Sequence, residues 1–303
     1  MRWNAPRRTK LLVCFAIVYL VWGSSYLATS IGVHNLPPRL FGGIRFLMSG
    51  SLLVGIALAL GRRVRLDPGE LRIVLVMAFF SVLVSNGFNN WAMQWVDSGT
   101  SAILNASTAF WIVLLGTLGA RAHPLSARIA LGLALGFIGV ALIVWPERGL
   151  ARGLIVPQLG ILVGCVGWAF GTIFYRNATI RLDVLAFTGW QMLLGGSMLV
   201  AVGLLFGEAE RWSWSGTGIV SMLYLTLFSS CLAYTAYAWL THNVTPAQVG
   251  TYGYVNPAIA TLLGWWLLDE TLTSAKLLGM VVILAGVVLV SWPSPDPQPE
   301  PTG

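Results

Sequence analysis

Polar and aromatic side chains stranded in apolar surroundings are where this sequence could do chemistry. The stretch Thr245–Leu272 runs apolar for about a bilayer's thickness, yet it keeps Tyr252, Tyr254, Asn256 and Pro257 near its middle. A helix in lipid must satisfy its own backbone, and Pro257 withdraws one donor and loosens a turn. Polar groups at that depth cost free energy unless partnered, so they face protein or a water-filled path. Tyr252 and Asn256 are four residues apart and share a helix face. Together they could hydrogen-bond a small solute at mid-membrane. Bonding between neighbouring helices is the alternative.

The same reasoning picks out further candidates for solute contact. Asn105 and Thr108 lie three apart on one apolar run, and Asn86 and Asn90 four apart on another. Tyr234 and Tyr237 could make an aromatic wall, or else an interfacial belt. Trp22, Ser25, Tyr26 and Thr29 form a helical stripe, repeated by Trp168, Thr172 and Tyr175. Arg45 is the one charge well inside an apolar run. Its planar fork suits a carboxylate or phosphate, whereas a bland reading has it snorkelling to the outer face.

Covalent chemistry has no visible machinery. There is no HExxH, no Cys/His set and no Asp within an apolar run, so neither a nucleophile–base pair nor a metal centre is expected, and no cofactor. All eleven carboxylates fall in loops, tails or span ends. A proton-driven carrier normally sets an acid or histidine in the path, so proton coupling is not expected. Asp269 and Glu270, the only adjacent acidic pair, could form an outer gate with Lys276.

These residues need a membrane to position them. The chain is 56% apolar and 10% charged, against about 25% charged in soluble proteins. The net charge of +7 fits basic cytoplasmic loops rather than nucleic-acid binding. Cys14, Cys165 and Cys231 all sit in apolar runs and read as small buried hydrophobes. The spacing predicts an all-α membrane protein of ten spans, near 11–33, 38–60, 70–92, 98–119, 126–145, 154–175, 183–206, 216–241, 245–268 and 275–292. The Pro-rich tail, residues 293–303, is expected to be disordered and cytoplasmic. Counting basic residues by side places both termini in the cytoplasm: Arg2, Arg7, Arg8, Lys10, Arg62, Arg63, Arg65, Arg72, Arg121, Arg128, Arg176 and Arg181 against Arg39, Arg148, Arg152, Arg211 and Lys276.

The chain also matches itself. Trp22-Gly23 pairs with Trp168-Ala169, and Arg45–Leu52 with Gln191–Met198, at an offset of 146. Gly132, Gly139 and Trp145-Pro146 pair with Gly279, Gly286 and Trp292-Pro293 at 147, and Thr108 with Asn256 at 148. Two five-span units result, residues 1–147 and 148–292. An odd number of spans per unit makes them inverted repeats, a common architecture of secondary transporters. The glycines support close helix packing; a homodimer seam is the alternative to a monomer.

Tyr19–Tyr26 (YLVWGSSY), Leu36-Pro37-Pro38, Arg45-Phe46, Trp168–Tyr175 (WAFGTIFY) and Pro246–Thr273 together resemble EamA-type members of the drug/metabolite transporter superfamily. The resemblance covers nearly the whole chain. It departs at Leu118–Leu125, where such proteins often keep an acidic residue in the first repeat. It implies a carrier of the bacterial inner membrane that exports amino acids, metabolites or drugs. A small-molecule substrate and the lipid bilayer are then the partners. The expected mechanism is alternating access by facilitated diffusion or exchange; proton-coupled efflux and a channel are the alternatives.

Overall fold

The computed structural model describes residues 5–96, 98–118, 126–144, 155–268 and 274–291. The Asp269-Glu270 gate and the tail lie outside these. The described residues are helical nearly throughout: α1 (Ala5–Asn35), α2 (Pro38–Ala59), α3 (Pro68–Ala92), α4 (Ser98–Gly116), α5 (Ala127–Val144), α6 (Ile155–Asn177), α7 (Val184–Leu205), α8 (Gly216–Asn243), α9 (Pro246–Gly250), α10 (Tyr252–Leu268) and α11 (Ser274–Ser291). Among the described residues, six helices (α1, α2, α3, α6, α7 and α8) are long and apolar enough to cross a membrane, and α4, α5 and α11 carry shorter apolar segments. Side chains such as Leu20, Leu58, Val163, Leu205 and Val281 are exposed. In water that outer surface would be prohibitive; against acyl chains it is the expected one.

Local sequence explains where the helices begin and end. Pro38 and Pro68 occupy first-turn positions, where a missing N–H costs nothing. Asp183 accepts from Leu185 N at 2.9 Å, and Thr245 and Gln248 cap each other through Gln248 N→Thr245 Oγ1 (3.3 Å) and Thr245 N→Gln248 Oε1 (3.1 Å). Gly61 and Gly207 end α2 and α7 at φ of +65° and +68°, a conformation that favours glycine. They are 146 positions apart, the same offset as the tryptophan pair.

Two helix pairs form the closest seams, and both run antiparallel. A Cβ built on Gly43 would lie 3.0 Å from Gly196 O, and one on Gly50 would lie 2.7 Å from Gly189 O. Advancing along α2 therefore means retreating along α7. In the same way Gly132 faces Gly286 O at 3.0 Å and Gly139 faces Gly279 O at 2.7 Å, joining α5 to α11. Glycine is required at these points because any side chain would meet backbone. The stripe on α5 is thus occupied within the chain, by α11.

The ends of the α2/α7 pair are also tied. Glu208, fully buried beyond α7, accepts from the backbone N–H groups of Arg39 and Leu40 and from Arg39 Nη1, each at 2.9 Å. Arg39 also stacks over the Phe206 ring at 4.3 Å. At the opposite end Glu70 accepts from Arg63 Nη2 at 3.0 Å and from Arg181 N at 3.1 Å.

Two of the long helices are not α-helical throughout. α3 adopts a π-helical course over Ala78–Asn86, and α8 does so over Leu225–Ala233. The two segments have equal length and lie 147 positions apart. π turns are rare and concentrate at functional positions.

Candidate functional site

The two π segments flank a layer of aromatic side chains near the middle of the bundle. Trp22 of α1 meets Trp168 of α6 edge-to-face, with ring centroids 5.5 Å apart. Tyr237 lies 5.0 Å from Trp22 and 5.3 Å from Trp168, Tyr234 lies 5.2 Å from Trp168, and Tyr252 lies 5.1 Å from Trp22. Five residues picked from the sequence thus converge from α1, α6, α8 and α10 into one buried cluster. Tilted and edge-to-face pairs are the favoured aromatic geometry.

Several polar atoms in and around this cluster are bonded within the protein. Trp168 Nε1 donates to the Tyr237 hydroxyl at 2.9 Å, and Thr172 Oγ1, 2.6 Å from that hydroxyl, donates to Trp168 O at 2.9 Å. Gln191 Nε2 donates to the Tyr234 hydroxyl at 2.6 Å. Trp22 Nε1 donates to Ser229 O at 3.2 Å, and Ser49 Oγ reaches Thr226 O at 3.3 Å. Both carbonyls belong to the π segment of α8, whose wider turn offers main-chain acceptors to other helices. In α3 the bond stays within the π segment, where Ser81 O accepts from Asn86 Nδ2 at 2.7 Å.

Asn86 connects this layer to Arg45. Arg45 Nη2 donates to Asn86 Oδ1 at 3.2 Å, and the guanidinium lies over the Phe46 ring at 4.2 Å. Arg45 is 4% exposed, so it does not snorkel to an interface. The Tyr234 hydroxyl is its electrostatic neighbour. Gln191, the residue matched to Arg45 across the repeat, bonds that same hydroxyl.

The remaining candidates separate into two groups. Tyr26 lies beside Tyr252 and Cys165 at the edge of the aromatic layer. Asn105 and Thr108 face α6 and α3 instead: Asn105 Nδ2 donates to Asn89 Oδ1 and Ser101 O, both at 2.9 Å, and Thr108 lies beside the Cys165 thiol. Asn90 is buried against α2, where Gly42 leaves room for its amide. Asn256, oriented to suit its neighbours, donates at 3.2 Å to both Tyr252 O and Tyr19 O. It fastens α10 to α1, aided by Tyr19 Oη and Thr251 Oγ1 at 2.7 Å. The ninth expected span is interrupted at Thr251, whose hydroxyl donates to Gln248 O at 2.6 Å. Tyr252 therefore starts a new helix just inside the cluster.

A void of about 10 Å³, measured to water centres, extends from the aromatic layer between α3, α6, α7 and α8. That is roughly the room one water needs. Ser81, Thr172, Gln191, Tyr234 and Tyr237 line its polar side. Toward the loop between α6 and α7, Tyr175 closes it, stacked on Phe187 at 4.3 Å with His242 edge-on at 4.2 Å. Arg176 Nη1 donates to Thr241 O at 2.9 Å and to Val244 O, drawing α6 and α8 together at that end. Sequence reasoning passed over Ser81 and the Tyr175–His242 closure. The only signal for Ser81 was a hydroxyl amid apolar residues; nothing marked the closure, which depends on helix packing.

The chain matches the EamA-like transporter family twice, over residues 9–145 and 156–292. It is 34% identical over 279 residues to the uncharacterized inner membrane transporter YedA of Escherichia coli (strain K12), covering 90% of this chain and 88% of YedA. It is 22% identical over 281 residues to the uncharacterized transporter YoaV of Bacillus subtilis (strain 168), covering 92% and 96%. A crystal structure 18% identical in sequence shares the fold at a TM-score of 0.80, covering 94% of this chain and 96% of the other.

Proposed function

Because the chain belongs to the EamA-like transporter family, we propose that it is an inner-membrane carrier that exports amino acids or related small metabolites by alternating access. The observation that carries this reading is the central layer itself. Matched residues from the two halves, Trp22 with Trp168 and Arg45 with Gln191, gather around one partly polar centre, and the void beside it has room for about one water. A channel would need an open, ion-lined path. A carrier needs a site that is occluded between openings. The reaction is binding and release, with no bond made or broken.

The architecture of the proposal is two inverted five-helix units, residues 1–147 and 148–292, making ten spans with both termini cytoplasmic. Three observations support it. The family matches twice. Matched helices pack antiparallel on each other, α2 on α7 and α5 on α11. The π segments recur at one offset. Movement then opens the centre first at the Tyr175 end and later at the opposite end, with Asp269 and Glu270 as the outer gate. Asp67, Glu70, Asp183, Glu208 and Glu210 all sit at helix ends or in loops, which favours facilitated diffusion or exchange over proton coupling.

The five-ring cluster favours a second reading, efflux of flat or aromatic drug-like compounds, since such walls stack on rings and cations. The deciding experiment is counterflow in proteoliposomes, with a labelled panel of amino acids, their relatives and aromatic cations. Accumulation of amino acids supports the first reading. Accumulation of aromatic cations alone supports the second, and no accumulation of any member overturns both.

A further inference from the structure

The bundle holds a buried positive charge on α2 with no acid paired to it among the described residues. Arg45 is 4% exposed, and its hydrogen bond to Asn86 Oδ1 and its place over Phe46 are neutral contacts. Its Nε has no partner. Among the described residues the ion pairs are Arg39 and Arg211 with Glu208, Arg62 with Asp183, and Arg63 with Asp67 and Glu70. Arg45 is in none of them. An uncompensated charge away from water is strongly unfavourable, and an amide and a ring offset it only in part. A carboxylate would offset it fully through the guanidinium fork.

The neighbouring residue matched to Arg45 is complementary. Gln191 is fully buried, its Nε2 is taken by Tyr234, and its Oε1 has no partner. Tyr234 thus neighbours both an unmet cationic donor and an unmet acceptor. A solute carrying both a carboxylate and an ammonium has the groups to meet both.

Resting on the carrier reading and deepening it, we infer that the transported solute bears a carboxylate that neutralises Arg45, and that the carrier exchanges solute for solute in preference to returning empty. Any change of access passes through a closed state. With Arg45 4% exposed, a closed state leaves its guanidinium almost no contact with water. Closed around a carboxylate, the charge is paired. The empty return is therefore the slow step, and a solute on the far side removes it.

The test compares labelled amino acids with the matching amino-acid amides in proteoliposomes. Each is measured as exchange against internal unlabelled solute and as net efflux into solute-free buffer. Wild-type protein should carry the acids and not the amides, with exchange faster than net efflux by about tenfold or more. Arg45→Gln makes the two matched positions alike. It should bring acids and amides to within about twofold of each other and remove the exchange advantage, while Arg45→Lys keeps part of both. Amides carried as fast as acids by wild type, or equal exchange and net rates, would overturn this inference and leave the carrier reading standing. No movement of any panel member would overturn both. If Arg45→Gln does not insert, the wild-type comparison decides alone.

Discussion

Trp22 and Trp168, 146 residues apart in the chain, touch each other edge-to-face with centroids 5.5 Å apart. On the proposed inverted-repeat architecture, two matched residues that meet lie close to the axis relating the two halves. Their environments nevertheless differ: the Trp22 indole donates to a π-segment carbonyl, Ser229 O, while the Trp168 indole donates to the Tyr237 hydroxyl. Trp168→Phe keeps a ring and deletes only the second bond, since Tyr237 retains Thr172. The expected stability loss is about 1 kcal/mol, with transport falling more steeply, by about tenfold at a fixed solute concentration. Thermal unfolding in detergent and initial uptake rates measure the two separately. An unchanged uptake rate would make the pair a packing contact only.

Glycine substitutions should separate seam from lipid face. Gly50→Val pushes a side chain against Gly189 O and Leu193 N of α7, both backbone atoms at 2.7 Å. Overpacking of this kind costs about 1–3 kcal/mol or more, and poor recovery of monodisperse protein is expected. Gly55, on the same helix with nothing within 4 Å of a built Cβ, should accept alanine with a change of about 1 kcal/mol or less. Size-exclusion profiles and melting temperatures check both.

Glu208→Gln tests the tie between α7 and the start of α2. The glutamine loses the charge opposite Arg39 and one of two acceptor oxygens, of which Oε2 serves both Arg39 N and Leu40 N and Oε1 serves Arg39 Nη1. A cost of about 2–4 kcal/mol is expected from breaking a buried charge-assisted network. A melting temperature equal to wild type would show that the tie does not stabilise the fold.

Tyr175→Ala should open the void toward the α6–α7 loop by removing the ring that stacks on Phe187 and meets His242. In a protein lacking its three native cysteines, a cysteine at Thr172 should react with a membrane-impermeant thiol reagent several-fold faster when Tyr175→Ala is also present. Adding the reagent from one side of oriented vesicles also reports which face this end occupies. Equal rates with and without Tyr175→Ala would place the closure elsewhere.

Uptake should also be unaffected by dissipating an imposed pH gradient. The described carboxylates lie at helix ends and in loops rather than beside the aromatic layer. Rates that collapse when a protonophore is added would require a titrating group in the path.

Much of this was legible in the sequence, and the reasons are physical. Apolar run length announces a helix in lipid, and α1, α2, α3, α6, α7 and α8 lie where such runs predict. The 146-residue offset paired Trp22 with Trp168 in the sequence; that the two rings touch is seen only in the structure. The burial of Arg45 and Gln191 was readable as polar residues within apolar runs. Direction around the helix was not legible. Asn256 turns to the backbone of α1, and Asn105 turns to Asn89, because a helix carrying polar atoms on several sides does not announce which neighbour takes each one. The π segments left no trace either: AFFSVLVSN and LTLFSSCLA read as ordinary apolar helix, and the wider turn reflects packing against other helices rather than local preference.

Those two wide turns carry a mechanical consequence. A π turn holds more residues than an α turn over the same hydrogen-bonded loop, so tightening one to α geometry twists everything beyond it by about 100° per residue absorbed. In α3 the part beyond is Gly87–Ala92, which presents Asn90; in α8 it is Tyr234–Asn243, which presents Tyr234, Tyr237 and His242. Each of these two helices would then swivel its far end without a break in the rod, and in α3 the turn would carry with it the close contacts of Gly164 and Gly167 on Ser85 O and Phe80 O.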